Sequence, residues 1–426
     1  MRTGLLWLYC VAATLSMATS AHAQQWVGDL LRAKGSGILV GTLELHPGIG
    51  AELGYDSNVF LSENPESSGV LRVAPSLYLS TLTSERLRGE QPKVELRVGV
   101  AGTFKHYFAT SLSDHPNMGV SQDAKFKWNA SSIFALELFQ DFKRSIDPFG
   151  EPGGGPIDPV GASFNRHQLG GGTRLQLSTP GKLLKGGLGY RIDWDSFQSE
   201  AFDANDSLKH TISADTSWEF LPRTAIFWNG AFAIHDYMND DAQGLGVRSG
   251  SKTIANKLGL NGALTERVGF TLAGGYDAAF SDDQDDSESI TAQAEARWRV
   301  LTASQWTLGY DRTLRPSFQG NTMITDRIKT VFGSMFGSVL ALNAKAEFAF
   351  VNFGNDPELG ERDDKHLVLS LGGEYRFLAW IAMTAELGYQ QNFTDFAVVT
   401  TLDGEETVNA AKYKRFEAWL GVRAFL

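Results

Sequence analysis

The feature that most constrains this chain is a period-two alternation carried through segments longer than ordinary strands. In "LVLSLGGEYRF", Leu367, Leu369, Leu371, Gly373, Tyr375 and Phe377 fall on one face, and Ser370, Gly372, Glu374 and Arg376 on the other. Side chains of a strand alternate faces, so one face is apolar and the other charged. "VELRVGVAGTFK" repeats the split: Val94, Leu96, Val98, Val100 and Phe104 oppose Glu95, Arg97, Thr103 and Lys105. So do "ITAQAEARWRV" and "LALNAKAEFAF". Helix-period runs are nearly absent, apart from a short candidate turn at "WVGDLLRAK".

A soluble β-sandwich alternates too, with its apolar face turned inward. Three features separate the cases. Many segments run about 11 to 15 residues, beyond a soluble strand of about 5 to 6 and right for a tilted membrane crossing. Aromatics on the apolar face gather near segment ends, as Trp194, Trp218, Trp298, Trp306, Tyr276, Tyr375 and Tyr389 do, which suits an interfacial girdle. Connections are expected to alternate strictly between short ones ("NASS", "STPGK", "LPR", "TER", "TAS", "GS") and long ones. The long ones are "LSENPESSG", "DPFGEPGGGPIDPVGASF", "QSEAFDAND", "NDDAQGLGVRSG", "SDDQDDSES" and "NDPELGERDD". Tight periplasmic turns and large surface loops are the outer-membrane arrangement.

The expected fold is therefore all-β: a transmembrane antiparallel up-and-down barrel of about 18 strands, with 16 the alternative, crossing the bacterial outer membrane many times. Segment centres fall near Ala51, Ser76, Ala101, Lys125, Leu138, Thr173, Gly189, Ala214 and Gly230. They continue near Gly259, Ala273, Glu295, Gly309, Arg327, Ala344, Leu371, Ala385 and Gly421. The final segment "KRFEAWLGVRAFL" resembles the C-terminal assembly signal of such barrels, although it ends on Leu426 with Phe425 out of phase.

The N-terminus agrees with export. Arg2, an apolar run from Gly4 to Met17, and the small-x-small "AHA" at 21–23 predict a signal peptide over residues 1–23. Residues 24–36 then form a short periplasmic segment, and 37–426 the barrel. Cys10, the only cysteine, lies inside the signal, so disulfides and Cys-ligated metals are not expected in the mature chain. The net charge of −11 disfavours nucleic acid as a partner.

A barrel of this size is too wide for side chains to fill, so its polar face predicts a hydrated lumen. The candidate lining comprises Glu52, Arg72, Glu95, Arg97, Lys125, Arg174, Arg191 and Asp193 in the first half. The second half adds Glu295, Arg297, Arg299, Arg327, Lys329, Lys345, Glu347, Glu374 and Arg376. Such residues either line a path for a polar or charged solute or stiffen the wall as cross-strand ion pairs. Inward glycines such as Gly99, Gly170, Gly187 and Gly372 suggest space kept open or sharp curvature. The Gly/Pro-rich stretch 147–164 reads as a surface loop, with a lumen constriction as the alternative, and "DDQDDSES" as a solvated loop without the spacing of a calcium site. HExxH, GxSxG and Walker A motifs are missing, and His210 and Ser213 fall on opposite faces, so neither enzyme activity nor a cofactor is expected.

One stretch interrupts the alternation: "GYDSNVF", comprising Gly54, Tyr55, Asp56, Ser57, Asn58, Val59 and Phe60. Tyr55 suits the outer rim, and the polar residues suit a turn where the strand leaves the membrane. With Ala74 and Pro75 on the following strand, the run resembles the pattern of the β-barrel porin 2 family. That resemblance spans about residues 48–79. It implies a wide barrel in outer-membrane lipid and lipopolysaccharide that passes an exopolysaccharide with a periplasmic export protein. A small-solute porin and a non-transporting surface barrel are the alternatives.

Overall fold

A computed structural model describes residues 35, 37–81, 92–112, 118–145, 166–198, 205–238, 250–282, 285–317, 322–356, 360–402 and 405–426. The signal peptide, the "WVGDLLRAK" turn and the 147–164 stretch lie outside the described residues.

After a short strand β1 (Ile38–Val40) the wall begins with β2 (Leu43–Asp56), β3 (Ser68–Thr81), β4 (Val94–Tyr107), β5 (Met118–Asn129), β6 (Phe134–Ser145) and β7 (Arg166–Ser178). It continues through β8 (Leu184–Phe197), β9 (Ser207–Leu221), β10 (Thr224–Tyr237), β11 (Ser251–Ala263), β12 (Val268–Ser281) and β13 (Ser287–Leu301). The last third is β14 (Ser304–Pro316), β15 (Thr322–Phe336), β16 (Leu340–Asp356), β17 (Gly360–Leu378) and β18 (Ile381–Phe393). A separate hairpin of β19 (Ala397–Leu402) and β20 (Glu405–Ala410) precedes the closing strand β21 (Tyr413–Phe425). Each wall strand pairs antiparallel with its neighbours in sequence, and β21 pairs with β2 from Gly48↔Phe425 to Asp56↔Glu417. The sheet is thus a closed barrel of 18 strands, and every segment centre expected from the sequence lies within one of them.

Closure explains why the chain tolerates its apolar outer face. Through the body of the wall both sides of each strand are paired, so its backbone donors and acceptors need little water. Outward side chains such as Leu53, Leu188, Leu258 and Leu420 stay more than half exposed. A continuous apolar band of this kind belongs in lipid. Trp128, Trp218, Trp298 and Trp306 gather at one rim, where Trp298 and Trp306 lie 6.2 Å apart between ring centroids. Tyr55 and Tyr276 mark the other rim. These features define an integral, multi-pass outer-membrane barrel.

The connections depart from strict alternation in two places. At the turn end, residues 222–223, 302–303 and 379–380 are tight, but 82–93 is long. At the opposite end, the long loop expected at "NDPELGERDD" is mostly strand, because β16 and β17 run on to the pair Asp356↔Gly360. Polar residues can continue a ladder beyond the membrane, so polarity alone overstated that loop. Pro75 leaves a different mark: β3 and β4 pair at Val73↔Phe104 and again at Ser76↔Ala101, with pairing lost between. Proline has no N–H to give the ladder.

Candidate functional site

The inner wall is the candidate site. The face assignment follows from the register: Glu52 sits opposite Arg72, Arg97 opposite Lys125, Glu137 opposite Arg174, and Lys329 opposite Glu347. That this face is concave is seen directly where Arg72 on β3 comes within 3.8 Å of Glu386 on β18, across two intervening strands. A circular wall of 18 strands at ordinary spacing and tilt is roughly 35 Å across between backbones.

Most of the candidate residues are held in ion pairs along the wall. Arg72 donates to Glu52, with Nη2 at 2.5 Å, and Thr384 donates to the other oxygen of Glu52 at 3.1 Å. Lys125 lies 2.7 Å from Glu137, Arg174 2.5 Å from Asp215, and Arg191 bridges Asp141 at 3.0 Å and Asp193 at 2.6 Å. Glu295 takes Arg297 at 2.5 Å and Lys329 at 3.7 Å. Arg327 reaches Asp311 at 3.0 Å and Glu347 at 3.6 Å, and Lys345 reaches Glu347 at 2.8 Å. Glu374 joins Arg376 at 2.8 Å and Arg423 at 3.1 Å. Glu95 accepts from Asn129 at 2.8 Å.

The charge left over is cationic. Among the described residues, Arg97, Lys127, Lys143, Lys257 and Arg299 on the inner face have no carboxylate within 4.0 Å, against Glu95, Asp123 and Asp277 without a cation. A chain of net charge −11 therefore presents a lumen whose unneutralised groups are mainly bases. Glycine contributes in a way the sequence did not suggest. A Cβ at Gly170 would collide with the Arg191 guanidinium, so the missing side chain lets Arg191 lie flat between its carboxylates.

The GYDSNVF stretch is an inward anchor as well as a turn. Asp56 is buried and accepts Arg415 Nε at 3.0 Å and Nη2 at 2.5 Å, while also taking the Asn58 backbone N–H at 3.0 Å. Asn58 is buried too. Its amide donates to the carbonyls of Ser62 at 2.7 Å and Lys414 at 3.1 Å, and its oxygen accepts the Ser62 N–H at 3.1 Å. Val59 thereby enters a buried cluster with Val70, Tyr107, Leu112 and Trp419, against which Phe60 packs. Gly54 is required here, since a Cβ would fall within the Trp419 ring, which also carries the Arg72 guanidinium 4.1 Å from its centroid. Lys412 fastens the loop from outside at 2.6 Å from Glu63, and that hydrogen bond holds its ammonium above the ordinary lysine range. Tyr55 faces outward at the rim, and Ala74 and Pro75 lie one strand over on β3.

Two features were not legible in the sequence. One is a buried network on β17 and β18: Asp364 accepts Arg362 Nε at 3.0 Å and Asn392 Nδ2 at 2.9 Å. The Arg362 guanidinium lies 4.6 Å over Phe353 and 4.9 Å over Phe396.

The other is a parting of the wall between β13 and β14. β13 and β14 pair only as far as Ala292↔Arg312, yet β14 stays paired with β15 up to Pro316↔Thr322. Beyond Arg312, β14 is therefore parted from β13, while β15 stays paired with β16 up to Met323↔Phe353. The Thr322 hydroxyl donates to Ser287 Oγ at 2.9 Å, and Arg312 Nε lies 3.4 Å from Ser289 Oγ. Ser287 and Ser289 belong to the inner face of β13, so the β14–β15 tip lies over the inside of the neighbouring wall. Excising residues 314–322, the tip that pairs with neither β13 nor β16, and closing the gap with a short glycine turn is expected to raise single-channel conductance. A hairpin about 10 Å thick in a free lumen of about 25 Å occupies roughly a fifth of the section, so the rise should be about a quarter. An unchanged conductance in planar bilayers would show that the hairpin does not narrow the path.

No protein-family model matches this chain, and no curated protein matches it. Solved structures with a similar chain path include the outer membrane protein OpdK from Pseudomonas aeruginosa, 10% identical, with a TM-score of 0.49 over 90% of this chain and 99% of that one. The FrpB iron transporter from Neisseria meningitidis is 10% identical, with a TM-score of 0.46 over 94% of this chain and 83% of that one. OccAB4 from Acinetobacter baumannii is 10% identical, with a TM-score of 0.46 over 90% and 98%.

Proposed function

We propose that the barrel is a channel by which a hydrophilic solute crosses the outer membrane, and that this solute is an exopolysaccharide leaving the cell. The observation that carries the channel reading is the continuous polar inner wall: 18 strands with ion-paired and hydrogen-bonded side chains on one face and lipid-facing apolar residues on the other. A wall of that polarity is hydrated, and a polymer rich in hydroxyls can exchange hydrogen bonds with water and wall alike. The polysaccharide reading is supported by the resemblance of Gly54–Phe60 with Ala74 and Pro75 to the β-barrel porin 2 family. A periplasmic export protein at the turn end is the partner it implies.

The β14–β15 tip over the inside of β13 favours a second reading, a porin for small polar solutes, because a tip there takes up part of the section. An in-frame deletion in the native host, complemented in trans, separates the two. Export predicts that surface polysaccharide falls while polymer accumulates in the periplasm. Unchanged polymer in both fractions, with conductance by the purified barrel, would favour the porin.

A further inference from the structure

On the lipid side of the wall, β6 and β7 carry a basic pair for which a channel has no use. Arg144 stands opposite Val120 on β5 and His167 on β7, in the same register that turns Leu138 and Leu177 toward lipid. Phe142, on that face too, meets the His167 ring edge-on at 6.1 Å between centroids. Both basic residues therefore point out of the barrel. Their height follows from the strand. At the turn end Phe134 meets Trp128 edge-on at 6.4 Å, within the aromatic rim. From Phe134 to Arg144, at about 3.3 Å per residue and a tilt of about 40°, β6 climbs roughly 25 Å, the height of the apolar band of such barrels. Arg144 thus emerges at the headgroups of the leaflet on the long-loop side, the outer one.

Neither residue has a carboxylate within 4.0 Å among the described residues. Ser196 sits opposite His167 in the ladder, and the acid beside it, Asp206, accepts from Ser196 Oγ at 3.0 Å and from the Phe197 N–H at 2.7 Å. Asp195, one residue along, belongs to the inner face and takes Arg166 Nε at 2.6 Å. Of the Arg144 nitrogens only Nε is enclosed, without a hydrogen-bond partner, so packing fixes the stem and leaves the two terminal nitrogens at the surface. Gln198 Nε2 lies 3.2 Å from His167 Nε2. An amide nitrogen donates, so that ring nitrogen accepts and the ring proton sits on Nδ1, which can donate in turn.

We propose that Arg144 and His167 bind the phosphate of an outer-leaflet lipid headgroup and hold one phosphorylated lipid against the β6–β7 wall. A guanidinium at the edge of hydrocarbon without a counterion is unfavourable, and a phosphate supplies the missing charge. The planar fork of Arg144 matches two phosphate oxygens, and His167 adds a further donor beside it. The occupant is a lipid because the site opens onto the membrane, where Leu138 and Leu177 offer acyl chains an exposed apolar face. The inference needs only the outer-membrane location and stands apart from the channel reading.

The test is native mass spectrometry of the full chain in detergent, titrated with bisphosphorylated lipid A, dephosphorylated lipid A and inorganic phosphate. Bisphosphorylated lipid A is expected to bind wild type about tenfold or more tightly than either of the others. Arg144→Gln with His167→Gln should weaken that binding by about tenfold or more, the scale of losing charge-assisted hydrogen bonds. Arg144→Lys, which keeps the charge without the fork, should fall between the two. Lys93→Gln, which removes an exposed charge at the turn end, should leave binding unchanged. Heat-modifiable migration verifies that each variant is folded. Equal affinity of wild type and the double variant, or of the phosphorylated and dephosphorylated lipids, would overturn the proposal. Inorganic phosphate binding as tightly as the lipid would overturn the assignment to a headgroup.

Discussion

Asp364→Ala is expected to destabilise the barrel by about 3–5 kcal/mol, the cost of stranding a buried charge. The Arg362 and Asp364 side chains are 2% and 0% exposed, and Asp364 also holds Asn392. Removing the carboxylate leaves a guanidinium between Phe353 and Phe396 with its counterion gone. Urea unfolding followed by heat-modifiable migration would read this as a lower midpoint. The double variant Arg362→Met with Asp364→Leu should recover most of the loss, because apolar side chains of similar volume need no counterion. A single variant as stable as wild type would mean that water reaches Arg362 and that the site is not dry.

Asp56→Ala should cost about 3 kcal/mol by the same reasoning, with Arg415 keeping a second carboxylate, Glu417, at 2.9 Å. Its consequence is more local. Asp56 also fixes the Asn58 N–H, and Asn58 fixes the course of the loop as far as Ser62, so the change should release Val59 from its cluster. Limited proteolysis is expected to cut within residues 57–67 of the variant at protease levels that leave the wild type intact. A variant that is destabilised yet uncut there would show that Asp56 supports the seam between β2 and β21 without ordering the loop.

Much of the fold could be read from the sequence because alternation reports each strand independently. Eighteen segment centres and the polar face carrying Glu52, Arg72, Arg327 and Glu374 followed from local pattern alone. The rest required knowledge of where strands go after they form. The hairpin beyond Arg312 alternates like any other, so nothing in "TLRPSFQGNTMIT" reveals that its outward face rests on another strand's inner face. Asp56 and Arg415 lie at opposite ends of the chain, and a turn-forming aspartate explained the local sequence well enough to hide the partner. Glycine failed for a related reason: Gly54 and Gly170 make room for Trp419 and Arg191, neighbours known only once the register is set.

The seam has a consequence for how the barrel is made. Gly48 pairs with Phe425, and Leu426 donates its N–H to the carbonyl of Pro47 at 3.1 Å, so closure joins residues separated by almost the whole chain. Every other wall pairing joins sequence neighbours, apart from β18 with β21, and can form by zipping from one hairpin to the next. Until β21 arrives, β2 offers a row of unpaired donors and acceptors, the state most prone to pair with another chain. The time spent in that open form, more than the stability of the finished wall, then sets how much of the protein reaches the membrane intact.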